Sequence, residues 1–302
     1  MAILEVKGLS KRFGTHQIVN DIHFTVPEGS VFGFIGVNGA GKTTTMKMIL
    51  GLLSADSGSI YVNGEKVTYG EAKTNRHIGY LPDVPEFYGY MRPKEYLQLC
   101  GEIVGLSKEK AKSRSAELLA LVGLADVNRK IGGFSRGMKQ RLGMAQALLN
   151  EPKLLICDEP TSALDPMGRK EILDILLAIK GKTTVIFSTH ILSDVERVCD
   201  QIAILDGGKI VLAGTLAEIR SKQKAEQILI EFAGEGDKAR FTSLAEQPLQ
   251  GAWEDLQVLL DVADMKVGQR QLMKQLVDHD ILPTRLEVQT PTLEHLFLEV
   301  IR

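Results

Sequence analysis

A glycine-rich segment that ends in a lysine and a threonine carries the most specific chemistry in this chain. Residues 36–43 read Gly-Val-Asn-Gly-Ala-Gly-Lys-Thr and match the pattern G-x-x-x-x-G-K-[ST] at every fixed position. Glycines let consecutive backbone N–H groups turn towards one anion, because no Cβ obstructs the turn. A lysine there can bridge the β- and γ-phosphates of a nucleotide, and a threonine hydroxyl can ligate Mg²⁺. The residues expected to form this phosphate site are Gly36, Asn38, Gly39, Ala40, Gly41, Lys42, Thr43 and Thr44.

Two consecutive carboxylates supply the second half of the predicted chemistry. Residues 153–157 read Lys-Leu-Leu-Ile-Cys, which predicts an apolar strand, and Asp158 and Glu159 follow at its end. Because ligands bind beyond the carboxyl ends of strands in open α/β sheets, this pair is placed to act on the nucleotide. Asp158 fits the acid that holds Mg²⁺, and Glu159 fits a general base for the attacking water. The sequence lacks the Asn-Lys-x-Asp motif that reads guanine, which favours ATP as the substrate.

Hydrophobic patterning predicts the elements that must position these groups. A helix is predicted from 43 to 53, directly after the glycines, and a helical region from 93 to about 150. The first two predicted strands alternate in polarity and indicate an antiparallel pair, whereas the later ones alternate with helices and indicate a parallel sheet. The predicted strands of this part of the chain are 3–6, 22–26, 31–35, 154–157, 183–188 and 201–205.

A third motif, at residues 134–141, narrows the class of protein. It reads Phe-Ser-Arg-Gly-Met-Lys-Gln-Arg and precedes an apolar helical run. With the two motifs above, it resembles the ATP-binding subunits of ABC transporters, whose signature runs roughly Leu-Ser-Gly-Gly-Gln. Residues 162–165, Ser-Ala-Leu-Asp, resemble the D-loop of that family, His190 its switch histidine, and Phe13 the aromatic that stacks on adenine. The resemblance runs without interruption from residue 1 to about 215.

The resemblance implies an ABC-type P-loop fold and an ATPase that works in pairs. The expected fold is a mixed sheet with an antiparallel β subdomain and a helical subdomain at about 90–150. Glu159, His190 and Lys42 would be catalytic, with ATP and Mg²⁺ bound. In the family two subunits pair head to tail, so Ser135 and Gly137 of one would contact the γ-phosphate held by the other. Asp165 joins this nucleotide-binding set, and the pair could be a homodimer or a heterodimer.

Two departures from the family pattern bear on the site. Asp83 stands where the family usually has Gln, and Arg136 replaces the first glycine of the signature. A carboxylate can still ligate Mg²⁺, so Asp83 joins Thr43 and Asp158 as an expected metal ligand. Both variants are familiar in the branch that includes bacterial drug and antibiotic exporters. Residues 290–299 also resemble the chain ending of that branch, although they equally fit an amphipathic helix that docks on its own domain.

The 302 residues predict two domains, 1–215 and 216–302, with different patterning. Beyond 215 we predict strands at 227–232, 256–262 and 284–288 that alternate with helices at 237–246, 267–278 and the chain end. This order indicates a small α+β domain of the ferredoxin-like kind. This domain could regulate the protein, mediate its dimerisation or only stabilise it, and the sequence does not choose among these roles.

Composition and charge limit where the chain acts and on what. The net charge is −2, the three cysteines are scattered without C-x-x-C spacing, and no apolar stretch approaches the ~18 residues of a membrane span. These features predict a cytoplasmic chain with no nucleic acid partner. Together with them, the resemblance to ABC transporter subunits implies a subunit that is peripheral on the inner face of the membrane and works with a separate transmembrane permease. The aromatic loop at 80–91 could contact that permease or pack locally. The alternative is an ABC-type ATPase of ribosomes or chromosomes, which the single cassette and compact length disfavour.

Overall fold

The computed structural model describes residues 2–221, 226–244, 253–254, 256–262, 265–289 and 293–300. The chain divides between Leu216 and Ala217 into two compact units. The described residues contain no helix that is long and apolar enough to span a bilayer.

The strands of the first unit form two sheets. In chain order they are β1 (Ala2–Phe13), β2 (His16–Pro27), β3 (Val31–Ile35), β4 (Ser57–Val62), β5 (Glu65–Lys66), β6 (Ile78–Leu81), β7 (Leu154–Asp158), β8 (Thr184–Thr189), β9 (Gln201–Asp206) and β10 (Lys209–Thr215). One sheet is antiparallel with the order β2-β1-β4-β5. The other has the order β10-β9-β3-β8-β7-β6, in which only β10 runs antiparallel to its neighbour. The expected mixed sheet with an antiparallel β subdomain is thus confirmed.

Aromatic packing joins the two sheets. The ring of Phe24 in β2 lies 5.7 Å from that of Phe32 and 5.2 Å from that of Phe34, both in β3. These side chains belong to one buried cluster that draws on both sheets. Every residue of β3, β7 and β8 is buried, as expected for parallel strands covered on both faces. The buried centre of this sheet therefore holds the ends of its strands in fixed positions.

The helices of the first unit surround the larger sheet or form the helical subdomain. They are α1 (Lys42–Ile49), α2 (Pro93–Ile103), α3 (Lys108–Leu121), α4 (Arg136–Ala147), α5 (Pro166–Ile179) and α6 (Leu192–Val198). The next helix, α7 (Leu216–Ser221), belongs to the second unit from Ala217 onwards. Local sequence explains their limits, because Ser107 caps α3 and Ser135 caps α4 through their side-chain oxygens. Glycines in the left-handed region follow α2 at Gly105 and α3 at Gly123.

Several of the predicted element limits were wrong, among them the start of the strand predicted at 22–26, because β2 already begins at His16. The helix predicted to run to residue 53 ends at Ile49, because Gly51 takes a left-handed conformation (φ 69°) and its N–H returns to the Met48 carbonyl. The strand predicted at 3–6 is much longer: β1 continues to Phe13, paired with β2 along its length. Register shifts at irregular positions interrupt the alternation beyond Val6, so the pattern there is harder to recognise.

The second unit is an antiparallel sheet with helices between its strands. Its elements are β11 (Glu226–Phe232), α8 (Glu235–Ser243), β12 (Trp253–Glu254), β13 (Gln257–Val262), α9 (Met265–Asp278), β14 (Pro283–Gln289) and α10 (Leu293–Val300). The sheet order is β12-β13-β11-β14. With the chain order β-α-β-β-α-β, this is the ferredoxin-like arrangement. Ile228, Ile230, Phe232, Phe241 and Val258 lie in its buried core.

Candidate active site

The glycine-rich segment lies between β3 and α1, where only glycine fits at two positions. A Cβ on Gly36 would approach the Leu205 carbonyl oxygen to 2.6 Å, and a Cβ on Gly41 would approach the Ile18 carbonyl oxygen to 2.8 Å. Gly41 also has a φ of 108°, and it caps the start of α1. The loop is therefore held close to its neighbours, with the positive end of α1 directed at the space above it. A loop of this shape can bind phosphate oxygens.

Lys42, the first residue of α1, is only 6% exposed. Its ammonium donates to the Gly36 carbonyl at 2.7 Å and to the Val37 carbonyl at 3.3 Å. It also lies 3.1 Å from Oε1 of Glu159, and this oxygen is buried and accepts no hydrogen bond among the described residues. The structure thus brings the predicted lysine and the predicted base together across the site.

The ends of β7 and β8 hold the two carboxylates. Asp158 is 2% exposed and accepts a hydrogen bond of 2.6 Å from the Ser188 hydroxyl. The Glu159 N–H donates to the Ser188 carbonyl at 3.0 Å and lies 3.2 Å from its hydroxyl oxygen. Glu159 has a φ of 48°, a left-handed conformation that costs a non-glycine residue on the order of 1 kcal/mol. The contacts of the Glu159 N–H with the Ser188 oxygens hold this strained backbone in place, as is common at functional sites.

His190 follows β8 and contacts the other oxygen of Glu159. Its Nδ1 lies 2.9 Å from Glu159 Oε2. The Glu159 carboxylate therefore has Lys42 at one oxygen and His190 at the other. An imidazole in this place can hold the carboxylate in one rotamer and can share a proton with it.

A cleft of about 400 Å³ opens in front of these groups. Most of the predicted phosphate-site residues line it, as do Phe13 and Asp83. The lining residues are Phe13, Ile18, Asn38, Gly39, Gly41, Lys42, Thr43, Thr44, Asp83 and Glu159. Gly36 and Ala40 are buried behind the loop, and Asp158 lies beneath the lining. The volume falls in the range of small-molecule sites.

Phe13 lies at the tip of the hairpin that joins β1 to β2, and 49% of it is exposed at the edge of the cleft. The Lys11 ammonium lies 5.5 Å from the centre of its ring. Lys11 is itself held by Asp56, whose carboxylate accepts from the Lys11 ammonium at 2.9 Å and from the Arg12 N–H at 2.7 Å. Phe13 therefore presents a supported aromatic ring to the cleft, a surface that can stack on a base.

Asp83 lies in the loop after β6 and forms an ion pair that sequence reasoning did not predict. The Arg136 Nη2 atom lies 3.1 Å from its carboxylate, and the Gln140 side chain donates to its carbonyl at 2.8 Å. Burial raises the pKa of the Asp83 carboxyl, Arg136 lowers it, and the charges of Asp158 and Glu159 raise it further. Asp83 and Arg136, the two residues that depart from the family pattern, thus contact each other.

Ser135, Gly137 and Asp165 do not line the cleft around Lys42. The Ser135 hydroxyl accepts from the Met138 N–H at 3.3 Å, and the Asp165 carboxylate accepts from the Gly168 N–H at 2.8 Å. Both side chains therefore cap helices within their own chain. The structure does not bring these predicted nucleotide-binding residues to the phosphate loop of the same chain.

Sequence reasoning missed Ser188 and Ile18. Ser188 ends the predicted strand at 183–188, and parallel pairing puts it opposite Asp158. A serine at a strand end beside an acidic pair was a usable signal for this contact. Ile18 reaches the cleft only because the β1–β2 hairpin folds over the loop, and no local pattern reports that.

Known proteins share both the sequence and the fold. The family model described as ABC transporter matches residues 19–162. An uncharacterised ABC transporter ATP-binding protein of Bacillus subtilis, YxlF, is 40% identical over 99% of both chains. The linearmycin resistance ATP-binding protein LnrL of the same organism is 35% identical over 99% of this chain and 98% of its own. A solved ATP-binding subunit of an ABC transporter superposes with a TM-score of 0.66 at 36% identity, covering 73% of this chain and 92% of that one.

A mainly parallel sheet with this phosphate loop defines a P-loop nucleotide-binding protein. The chain belongs to the family of ABC transporter ATP-binding proteins. It is an ATP-binding and ATP-hydrolysing subunit that powers a membrane transporter. Subunits of this kind assemble with a membrane permease and dimerise.

Proposed function

We propose that the cleft beside Lys42 is the ATP site and that Glu159 is its general base. The observation that carries this proposal is the contact of Glu159 with Lys42 at 3.1 Å and with His190 at 2.9 Å, at the edge of a phosphate loop. Lys42 exchanges its two loop carbonyls and Glu159 for phosphate oxygens when ATP binds. Glu159 then accepts a proton from the attacking water, and His190 holds the carboxylate in place.

The oxygen donors at the cleft fit Mg²⁺, which prefers hard oxygen ligands. Thr43, an exposed residue in the first turn of α1, supplies a hydroxyl, and Asp158 and Asp83 supply carboxylates. Among the described residues no three His, Cys, Asp or Glu side chains are arranged to hold a metal ion by themselves, so the phosphates of the nucleotide would complete the ligand set. When bound, the ion neutralises charge on the phosphates.

The adenine lies against Phe13 in this proposal. One side of the ring faces the Lys11 ammonium, and nearly half of Phe13 is exposed to the cleft. Asn38, Gly39, Ala40, Gly41 and Thr44 provide the backbone and side-chain surroundings of the phosphates.

A second ATPase subunit completes each site. Ser135, Gly137 and Asp165 lie away from their own phosphate loop, and Ser135 and Arg136 are exposed. Head-to-tail pairing would bring Ser135 and Gly137 of one subunit to the γ-phosphate held by the other. ATP would then close the pair, and hydrolysis would reopen it.

The surface at 80–91 is the proposed contact with a separate transmembrane permease, which places the subunit at the inner face of the membrane. It borders a cavity of about 680 Å³ that is lined by aromatic and apolar side chains together with polar ones such as Glu86 and Gln146. The sequence left partner contact and local packing open, and the structure contains features of both. Phe87 packs on Tyr96 with ring centres 5.2 Å apart, whereas Tyr88 and Tyr90 are exposed. Because Asp83 lies in the same loop, movement of this surface would reach the ATP cleft.

We propose that the transporter exports its compound from the cell. The relative LnrL, which is similar to this chain over nearly its whole length, is named for linearmycin resistance. The permease would select that compound. We also propose that the domain boundary lies near 215 and that residues 216–302 form an accessory α+β domain, consistent with the division between Leu216 and Ala217.

Turnover and nucleotide binding of two variants test the ATP site. Glu159→Gln should lose at least about 100-fold in turnover while it still binds ATP, the effect expected for a lost general base. Lys42→Ala should lose ATP binding, whereas Lys47→Ala, an exposed lysine of the same helix, should bind as the wild type does. Full turnover by Glu159→Gln would refute the base, and normal ATP affinity of Lys42→Ala would refute the phosphate site.

Affinity capture from native membranes tests the partner. The full chain should recover an integral membrane protein, and Tyr88→Ser with Tyr90→Ser should reduce that recovery without changing turnover of the isolated chain. Recovery of ribosomes or DNA with the wild type would contradict the transport assignment.

A further inference from the structure

A buried carboxylate outside the ATP cleft joins the segments that carry the proposed catalytic residues. Asp194, in α6, is 1% exposed. Its Oδ2 accepts from the Thr161 hydroxyl at 2.8 Å, and its Oδ1 accepts from Arg169 Nε at 2.5 Å. A buried charge is costly unless it is paired and hydrogen-bonded, and this one has both kinds of partner.

Arg169 connects Asp194 to the segment that contains Asp165. Its Nε donates to Asp194, and its Nη2 donates to the Ser193 hydroxyl at 2.7 Å. The Arg169 N–H bonds to the Asp165 carbonyl at 2.9 Å, in the first turn of α5. The planar guanidinium therefore fastens the start of α5 to α6 through two of its nitrogens, a geometry that lysine lacks.

Thr161 connects Asp194 to the segment that contains Glu159. It is buried and lies two residues after Glu159, in a turn closed by the bond from the Ser162 N–H to the Glu159 carbonyl at 3.0 Å. Asp194 itself lies four residues after His190, and its N–H donates to the Ile191 carbonyl at 3.2 Å. The Asp194 side chain thus joins α6, which follows β8, to the loop between β7 and α5 and to the first turn of α5.

We propose that Asp194 is a positioning residue that sets the placement of Glu159 relative to His190 and Asp165. This inference rests on the proposed roles of Glu159 and His190. Glu159 has a left-handed backbone that must be held by its surroundings, and the turn that follows it is anchored to Asp194 through the Thr161 hydroxyl. Misplacement of a catalytic group by about 1 Å can reduce a rate by about 100-fold. The phosphate loop is anchored separately between β3 and α1, so loss of the Asp194 links should lower kcat and leave ATP affinity unchanged.

Thr161→Val tests the link to Glu159, because it keeps the shape of threonine and leaves the Arg169–Asp194 pair intact. We expect kcat to fall about tenfold or more, with KM and the Kd for ATP within twofold of wild type and a small change in Tm. Thr161→Ser restores the hydroxyl and should restore kcat to within twofold or threefold. The proposal would be overturned if kcat were unchanged in Thr161→Val, or if Thr161→Val and Thr161→Ser lowered kcat equally.

Arg169→Lys tests the second link and has a matched control. It keeps the charge and loses the two-nitrogen contact, so kcat should fall with little effect on KM. Arg197→Gln removes another α5–α6 ion pair, the exposed contact of Arg197 with Asp174 at 2.7 Å, and should leave kcat unchanged. Equal effects of the two substitutions would show only a general need for helix contacts and would overturn the proposal.

Combining Thr161→Val with Glu159→Gln distinguishes the positioning role of Asp194 from the proposed role of Glu159 as general base. If Asp194 acts through Glu159, Thr161→Val should add little further loss of turnover once the carboxylate is gone. A full additional loss there would overturn the positioning role. Full turnover of Glu159→Gln alone would instead refute the proposed base, whatever the Thr161 variants do.

Discussion

Lys42 and Glu159, more than a hundred residues apart, form an ion pair of 3.1 Å in the cleft. The lysine that we propose for phosphate binding is thus paired with the carboxylate that we propose as base. ATP must replace this contact, since the phosphates need the same ammonium. The Lys42–Glu159 ion pair therefore competes with nucleotide binding, although it also holds the two side chains in position.

Removal of the Glu159 charge should strengthen binding of ADP as well as ATP. Glu159→Gln frees Lys42 from its ion pair and removes repulsion between carboxylate and phosphates. We expect ADP to bind about fivefold more tightly, on the order of 1 kcal/mol, by calorimetry. ADP has no γ-phosphate to lose, so tighter ADP binding cannot be explained by a substrate that stays bound because it is not hydrolysed. Unchanged ADP affinity would mean that the ion pair does not compete with nucleotide.

Asp83 and Arg136 should affect the Mg²⁺ requirement in opposite directions. Arg136 lies 3.1 Å from the Asp83 carboxylate and competes with any cation for it. Asp83→Asn should raise the Mg²⁺ concentration for half-maximal turnover several-fold, and Arg136→Gln should lower it.

Arg129→Gln, a nearby arginine that packs on Phe134, is the control for Arg136→Gln and should leave the Mg²⁺ requirement unchanged. A shift in the same direction for Asp83→Asn and Arg136→Gln would show that the pair only fastens α4 to the loop, and Asp83 would not be a ligand.

Phe13 should determine affinity for the base and not for the phosphates. Loss of one base–aromatic stack costs ~1–3 kcal/mol, so Phe13→Ala should raise KM for ATP by roughly fivefold to a hundredfold. Phe13→Trp should keep KM near the wild-type value. Inhibition by tripolyphosphate, which lacks a base, should be the same in all three proteins; weaker inhibition in Phe13→Ala would mean that the hairpin tip supports the phosphate loop instead.

The three cysteines should differ sharply in reactivity. Burial raises the pKa of the Cys157 and Cys199 thiols far above the usual range, and it also raises the pKa of Cys100, which is partly exposed beside the larger cavity. Because the thiolate reacts, a maleimide at pH 8 should modify Cys100 slowly and the others only in denaturant. Intact-mass measurement over time checks this. Modification of Cys157 in the native chain as fast as that of Cys100 would mean that β7 opens to solvent.

Local pattern was enough for the features that depend on neighbours in sequence. The glycine spacing at 36–43 and the apolar strand before Asp158 are each contained in a few residues. The structure places them at the same edge of the sheet, after two strands that flank β8, because parallel strands end at one sheet edge. The ferredoxin-like order of the second unit followed from alternating strands and helices. Its β12, at Trp253–Glu254, is too short to show a period and was missed.

Contacts between distant segments could not be predicted in the same way. Arg136 reaches Asp83 across 53 residues, and Thr161 reaches Asp194 across 33. Each pair follows from how helices pack on the sheet, and nothing in the spacing of the four residues reports it. The sequence also could not reveal that Glu159 would take a left-handed backbone, since this conformation depends on Ser188 of a neighbouring strand.

The placement of Ser135, Gly137 and Asp165 away from their own phosphate loop has a kinetic consequence. If each site needs two chains, as proposed, the rate per chain must rise with chain concentration until pairing saturates. A dilute subunit would then be nearly idle, and a permease that holds two copies side by side would supply the missing local concentration. The partner would thus raise hydrolysis by proximity alone, before any change of shape in either protein.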